Sequence, residues 1–275
     1  MKTIELVPGH YSSQIGFGCA PILGSVDRAR SLRGLEVAYE AGITHFDVAP
    51  SYGYGEAEGF LGDFLTGGKR QRVVIATKHG IEANAKAKLL KPLKGIARAT
   101  LKLLKGSRPA SAGSGGQAIA RAMLNHVPIT ADSLEKSVHR SLKRLRTDYL
   151  DIVLLHEPPQ ALGEIDAIFE SAHRLKDAGK ILGFGFALTR EQWPIHAGIL
   201  PKCDLLQFDA ASPETPLPDE SVGKPTILFS PFRTAKEGES REDVLRRLVK
   251  ANDQSVVLCS MFSEAHIRSN VNAVS

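Results

Sequence analysis

Four side chains with complementary proton chemistry each sit beside a short apolar run of the chain. Asp47 closes THFD, Lys78 follows VVIAT, His156 closes LDIVLLH, and Tyr52 lies just beyond Asp47 in FDVAPSYGYGEAE. A phenol is a poor acid near neutrality, because its ordinary pKa is about 10. An adjacent ammonium stabilises the phenolate and lowers that value. Lys78 can supply the ammonium, Asp47 can pair with Lys78 and hold it charged, and His156 can hydrogen bond to the phenol or to a substrate oxygen. Tyr52 tuned in this way can protonate a carbonyl oxygen as hydride reaches the carbon. Taken singly, each residue has an ordinary structural reading: a cap, a half-buried ring, a solvated charge, a core histidine. Their combination, each in its strand context, points to catalysis.

Bringing these residues together requires elements that end at one place. Eight apolar runs read as strands: 14–19, 44–47, 73–77, 150–156, 181–186, 204–208, 226–230 and 255–259. Their unbroken apolar character suits parallel strands covered on both faces. Helical patterns lie between them. Residues 27–41 stop at Gly42, 132–146 start at a cap on Asp132 or Thr130, and 164–178 stop at Gly179; 240–251 and 263–273 complete the set. This rhythm predicts an α/β protein with a (β/α)8 TIM barrel, a doubly wound open sheet being the alternative. Residues 1–275 read as one domain. Residues 81–130 form a long basic insertion after strand three, with a Gly/Ser-rich stretch, SRPASAGSGGQ. The four prolines of 209–225 predict a shortened crossover between strands six and seven. In such a barrel the active site lies at the C-terminal ends of the strands, where Asp47, Lys78 and His156 fall.

Composition narrows the class. The 275 residues are 43% apolar and 24% charged, ordinary for a globular protein with a sizeable core. A net charge of +5 suits an anionic ligand without arguing for nucleic acid. The three cysteines are widely spaced and lack a CxxC, which predicts reduced thiols, a cytoplasmic setting and no metal site. Neither an apolar leader nor a run of membrane-spanning length is evident. The absence of aromatic residues from 81–130 argues against base stacking on single-stranded nucleic acid. Gly53, Gly55 and Gly59 give GxGxxxG rather than a dinucleotide fingerprint, so they read as a tight turn opening a helix, with Glu56 and Glu58 favoured by its dipole. GSGGQ lacks the Lys-Ser/Thr of a phosphate loop. Cys19 reads as a packed thiol and Trp193 as helix packing. Oligomeric state is not legible.

The set Asp47, Tyr52, Lys78 and His156, in FDVAPSYGYGEAE, IATKHG and DYLDIVLLHEPP, resembles that of the aldo-keto reductases, in the same order. The resemblance covers roughly residues 14–275 apart from the insertion. It implies a (β/α)8 barrel that binds NADPH or NADH without a Rossmann domain and passes hydride to an aldehyde, ketone or sugar lactol. Tyr52 would be the general acid, Lys78 and Asp47 its tuning pair, and His156 the group that orients the carbonyl. On the cofactor side the resemblance implies Gln207 at the carboxamide, Phe229 stacking on the nicotinamide, Ser230 at the pyrophosphate and Asn270 near the adenine. The family's GxSN is replaced by Gly185-Phe186-Ala187-Leu188, which removes two polar contacts. The basic positions around the adenosine 2′-phosphate read Ser260 and His266, with Arg268 nearby. Three expectations follow: preference for NADH, use of Arg268 or His266 instead, or weak cofactor binding. The chain stops soon after its last helix, which implies an open mouth tolerant of varied small carbonyl substrates. A catalytically weak barrel acting as a cofactor sensor or interaction module is the rival reading.

Overall fold

The structure, a computed structural model, describes residues 1–84, 124–210 and 223–275. The basic run and Gly/Ser stretch between 85 and 123, and most of the proline-rich crossover, lie outside the described residues. In chain order the strands are β1 (Thr3–Val7), β2 (His10–Ser13), β3 (Ile15–Gly18), β4 (His45–Asp47), β5 (Val74–His79), β6 (Ile81–Ala83), β7 (Leu124–His126), β8 (Leu150–His156), β9 (Ile181–Leu188), β10 (Leu205–Asp209), β11 (Thr226–Phe229) and β12 (Ser255–Cys259). The helices are α1 (Arg28–Glu40), α2 (Ala57–Phe64), α3 (Ala131–Leu145), α4 (Ile165–Asp177), α5 (Trp193–His196), α6 (Arg241–Ala251) and α7 (Glu264–Ala273).

Strands β3, β4, β5, β8, β9, β10, β11 and β12 close into a parallel barrel, one strand for each apolar run. The closed barrel settles the choice against the open sheet. Helix caps follow side-chain chemistry. Asp27 accepts from the Arg30 N–H at 2.9 Å to start α1. Thr130, rather than Asp132, starts α3 in a reciprocal capping box with Ser133. Leu134, Val138, Leu142 and Leu145 of α3 are buried along one face, as their spacing requires.

Two apolar layers result. One lies between barrel and helices. The other fills the barrel with Val74, Ala76, Ile152, Leu154, Leu205, Ile227, Val256 and Leu258, and Ile4, Leu6 and Val7 of the β1–β2 hairpin join it. That hairpin plugs the end opposite the mouth: a Cβ on Gly183, early in β9, would lie 2.4 Å from Val7 Cγ1. The hairpin is absent from the sequence expectation, and so is the short antiparallel β6–β7 pair. Both carry partly exposed strands (β1 reads exposed, buried, exposed, buried, buried), so neither shows an unbroken apolar run.

Candidate active site

Strand register brings the proton-active residues to one end. Asp47 aligns with Ala76 and Gly18, Lys78 with Leu154, and His156 with Ala187, all near the C-terminal ends of their strands. Tyr52 opens a one-turn 3-10 helix, Tyr52–Gly55, after β4. That turn depends on Gly53, which has φ +58° and whose Cβ would lie 2.6 Å from the Ile22 carbonyl.

These residues line a cavity of about 520 Å³ together with Gln207, Phe229, Ser230, Arg233 and Ser260. The Lys78 ammonium donates to Asp47 Oδ1 at 2.5 Å and to the Val48 carbonyl at 3.3 Å, and both Lys78 and Asp47 are almost fully buried. Gln207 Nε2 donates to the other Asp47 oxygen at 2.8 Å. The carboxylate is thus held on both sides. Lys78 Nζ also lies 5.2 Å from the Tyr52 ring centroid, close enough for the phenol to raise its pKa further. The Tyr52 and His156 rings meet edge to face, with centroids 6.3 Å apart. Glu157 and Ser230, both in the cavity wall, hold left-handed φ values of 46° and 56°, conformations that cost energy for non-glycine residues and gather at functional sites.

Electrostatics corrects one expectation. Burial drives the Tyr52 hydroxyl above its ordinary pKa and outweighs the lowering by Lys78, while Asp47 adds to the rise. The reason is the short contact within the pair: with Asp47 against the ammonium, little net positive field remains to offset the desolvation of a phenolate. Burial depresses Lys78, but Asp47 and Tyr52 raise it further, so it stays an ammonium. Burial, then Lys78 and His126, lower His156 to about 3, leaving a neutral imidazole with Nδ1 buried and unpartnered.

The cofactor-side residues divide. Gln207, Phe229 and Ser230 are in the cavity wall. Gln207 spends one N–H on Asp47, which leaves its second N–H and its amide oxygen for a carboxamide, and Phe229 offers an apolar ring. The nicotinamide end of a dinucleotide therefore fits. His266 and Arg268 are exposed on α7 and do not line the cavity, and Arg268 is bound to Glu264 at 2.8 Å. Glu264 also takes Arg33 at 2.8 Å. Asn270 is buried with Nδ2 turned to Met261 Sδ at 3.3 Å, away from the cavity. The Ser260 hydroxyl, in the wall, donates to the Gly18 carbonyl at 3.2 Å. Of the α7 residues singled out above, Arg268 is thus already paired with a carboxylate.

Arg233, exposed at the cavity rim in FSPFRT, is a wall residue that sequence reasoning passed over, although it stands only three positions past Ser230. Ala187 and Leu188, in place of the missing polar contacts, line the wall with aliphatic groups. Cys19 is fully buried and outside the wall. Glu58 lies in the first turn of α2 as expected, and it does more than face the helix dipole. It is 1% exposed, accepts from Thr77 Oγ1 (2.8 Å) and Ser141 Oγ (2.7 Å), and pairs with Arg144 (3.1 Å), tying α2 to β5 beside Lys78 and to α3. Among the described residues, no cluster of His, Cys, Asp and Glu could hold a metal, and no helix is long and apolar enough to cross a membrane.

The sequence model of the aldo/keto reductase family matches residues 14–193. Aldo-keto reductase YhdN of Bacillus subtilis is 29% identical over 234 residues, which cover 80% of this chain and 58% of that protein. Pyridoxal 4-dehydrogenase of Microbacterium luteolum is 29% identical over 210 residues, covering 70% of this chain and 56% of that protein. The chain thus spans a little over half the length of these curated relatives. Among solved structures, an aldo-keto reductase of Bacillus halodurans in its holo form matches with a TM-score of 0.68 at 24% identity, covering 100% of this chain and 91% of that one; this likeness carries the fold.

Proposed function

We propose, from the premise that this chain belongs to the aldo/keto reductase family, that it is an NAD(P)-dependent oxidoreductase interconverting a small carbonyl compound and its alcohol. The single observation that carries the reading is the buried Asp47–Lys78 pair set against Tyr52, beside His156, in one cavity with Phe229 and Gln207 in its wall. The chemistry supplied by a bound nicotinamide is hydride transfer to the carbonyl carbon, two electrons at once, or its reverse. Everything else falls to the chain. Gln207 and Ser230 would hold polar groups of the cofactor, Phe229 would offer its ring to the nicotinamide, and Arg233 would supply a cation for phosphate at the rim.

The raised pKa of Tyr52 keeps its proton in place at neutral pH. The phenol gives that proton to the carbonyl oxygen as negative charge develops there, and the product is the alcohol. Lys78 stabilises the phenolate left behind, and Asp47 keeps Lys78 protonated. The neutral His156 donates one N–H to the carbonyl oxygen, which orients it without placing a second cation beside Lys78. In the oxidation direction the same groups run in reverse, with the phenolate taking the alcohol proton. An intact acid with both tuning partners favours turnover over cofactor sensing.

Tyr52→Phe should abolish NAD(P)H-dependent reduction across an aldehyde panel while the circular dichroism spectrum and melting curve stay unchanged. Turnover persisting at a similar rate in that variant would remove Tyr52 from the mechanism. NADH is the better-fitting cofactor, because Arg268 is committed to Glu264.

A further inference from the structure

His156 and Glu157 belong to two cavities. Besides the reacting one, they line a second space of about 340 Å³, at the lower end of the roughly 300–1,000 Å³ typical of small-ligand pockets. We propose that this second space is a substrate slot that receives the flat, uncharged, aromatic tail of an aldehyde whose carbonyl lies at Tyr52 and His156. The inference rests on the carbonyl-reduction reading and adds the substrate class to it.

The wall chemistry selects the guest. Val127, Pro128, Ile129, Pro158, Pro159 and Ile195 are half of the lining residues, and His126 and Gln160 add polar groups. Proline has no N–H and little side-chain freedom, so the three prolines make a stretch of wall that offers no donor of its own and needs little ordering on binding. A sugar or other polyol would lose its water hydrogen bonds against such a surface, whereas an aromatic ring loses none. The exposed carboxylate of Glu157 at the junction of the two cavities disfavours a tail bearing its own carboxylate. Gln192 also lines the slot. Its Oε1 accepts from the Thr189 N–H at 3.0 Å, so what the side chain retains is a donor, suited to one acceptor substituent on the ring.

Both walls are fixed to the fold. Gly80 has φ +124°, and a Cβ there would lie 3.1 Å from the His156 carbonyl and 3.2 Å from Ile129 Cδ1. Glycine thus lets the segment after β7 approach the end of β8, and the Val127 N–H bonds to the Gly80 carbonyl at 2.9 Å. Opposite, the buried His196 of α5 hydrogen bonds to the backbone of Pro158. The Glu157 N–H bonds to the Ala187 carbonyl at 2.9 Å. Preformed walls of this kind discriminate by shape as well as by polarity.

Ile195 is the residue to change, because it lines the slot yet is 44% exposed, so larger or charged replacements leave the core intact. The test uses the full chain with 2-naphthaldehyde and glyceraldehyde as probes. The first readout is the ratio of their kcat/KM values with NADH. The second is the binding of 2-naphthaldehyde to cofactor-free protein by titration calorimetry. The expected wild-type ratio favours 2-naphthaldehyde by about tenfold or more, and Ile195→Trp and Ile195→Asp each lower it at least tenfold, the order expected from losing one well-packed apolar contact. Both variants should weaken 2-naphthaldehyde binding by a similar factor. A ratio that shifts less than twofold in both variants, with glyceraldehyde still reduced, overturns the slot and leaves the reductase reading standing. If neither aldehyde is reduced, the reductase reading fails, and the titration alone decides the slot: binding lost in the Ile195 variants supports it, and binding unchanged overturns it.

Discussion

Two buried ion pairs sit at opposite ends of the same barrel, and they are built differently. Arg70, just before β5, reaches Asp151 at the start of β8 with a contact of 2.7 Å. Its remaining guanidinium donors go to Thr147 Oγ1 and to the carbonyls of Val73 and Tyr149, and the group stacks 4.0 Å from the Tyr149 ring. The Asp151 carboxylate also accepts from the Ile75 N–H at 3.0 Å. The other Asp151 oxygen lies 3.7 Å from His10 Nδ1 of the β1–β2 hairpin, and neither Arg70 nor Asp151 lines the mouth cavity. The Asp47–Lys78 pair at the mouth also has a carboxylate held on both sides, but its ammonium turns to a titratable phenol and both residues face a cavity. Each pair carries a desolvation cost that its hydrogen bonds must offset. The difference teaches that burial and a short contact do not mark a catalytic pair; an adjoining acid and room for a reactant do.

Breaking each pair should therefore separate activity from stability. The largest effect is expected at the mouth. Tyr52→Phe removes the acid and should lower kcat by about 10²–10⁴-fold, the usual range for losing a general acid, with no loss of folding stability. In the wild type, the reduction rate should stay flat through neutral pH and fall only as alkali strips the raised Tyr52 of its proton; alcohol oxidation should show the opposite alkaline limb. At the other end, Arg70→Met leaves the Asp151 charge buried without its partner. Urea titration should show about 3–5 kcal/mol less stability, the range for breaking such pairs, while kcat per folded molecule is retained. Retained stability in Arg70→Met, or lost stability in Tyr52→Phe, would erase the contrast.

The sequence makes the upper pair visible and the lower one obscure, for physical reasons. Asp47, Lys78 and His156 each end an unbroken apolar run, and a barrel brings strand ends together whatever their separation in the chain. Arg70 and Asp151 stand at strand beginnings, where charged residues read as solvated. Position along a strand can be inferred from such runs, but angular position around the barrel cannot. This is why the Gln207–Asp47 bond, between residues 160 apart, was not foreseen although Gln207 itself was singled out. Desolvation is also a sum over every neighbouring element, so the upward direction of the Tyr52 shift needed the packed structure. Glu58 shows a related limit: its place in a helix's first turn is legible, but its burial between β5 and α3 is tertiary.

The barrel interior beneath the mouth sharpens the contrast through pH. His45, two residues before Asp47, is fully buried with neither ring nitrogen partnered, and burial, only partly countered by Asp47, lowers it to about 4. Burial lowers His79 to about 4 and His156 to about 3. The unfolded chain takes up protons at these sites below about pH 6.5, while the folded chain does not. Their stabilising contribution is thus intact above that pH and is lost as pH falls towards 4. Each such group steepens the loss by up to about 1.4 kcal/mol per pH unit. His45→Leu should flatten the fall in urea midpoint between pH 7 and pH 5 relative to wild type; an equally steep fall would mean that His45 titrates normally.

The smallest effect concerns a third kind of pair, solvent-exposed and beyond the cavity rim. Glu264 binds both Arg268 and Arg33 on the surface of α7. The two guanidiniums hold its carboxyl below the ordinary range, so it is ionised at any working pH. Surface pairs of this sort are worth little to folding, so Glu264→Gln should leave the melting temperature nearly unchanged. Its consequence lies with the cofactor. On the proposed reading, the carboxylate occupies an arginine that would otherwise answer a 2′-phosphate, and it would repel that dianion itself. Neutralising it should tighten NADPH by about two- to fivefold, the scale of one exposed charge contact, and leave NADH almost unaffected. The gain should shrink at high ionic strength. Equilibrium dissociation constants for both nucleotides at low and high salt test this directly. Equal changes for NADH and NADPH would show that Glu264 does not face the adenosine ribose.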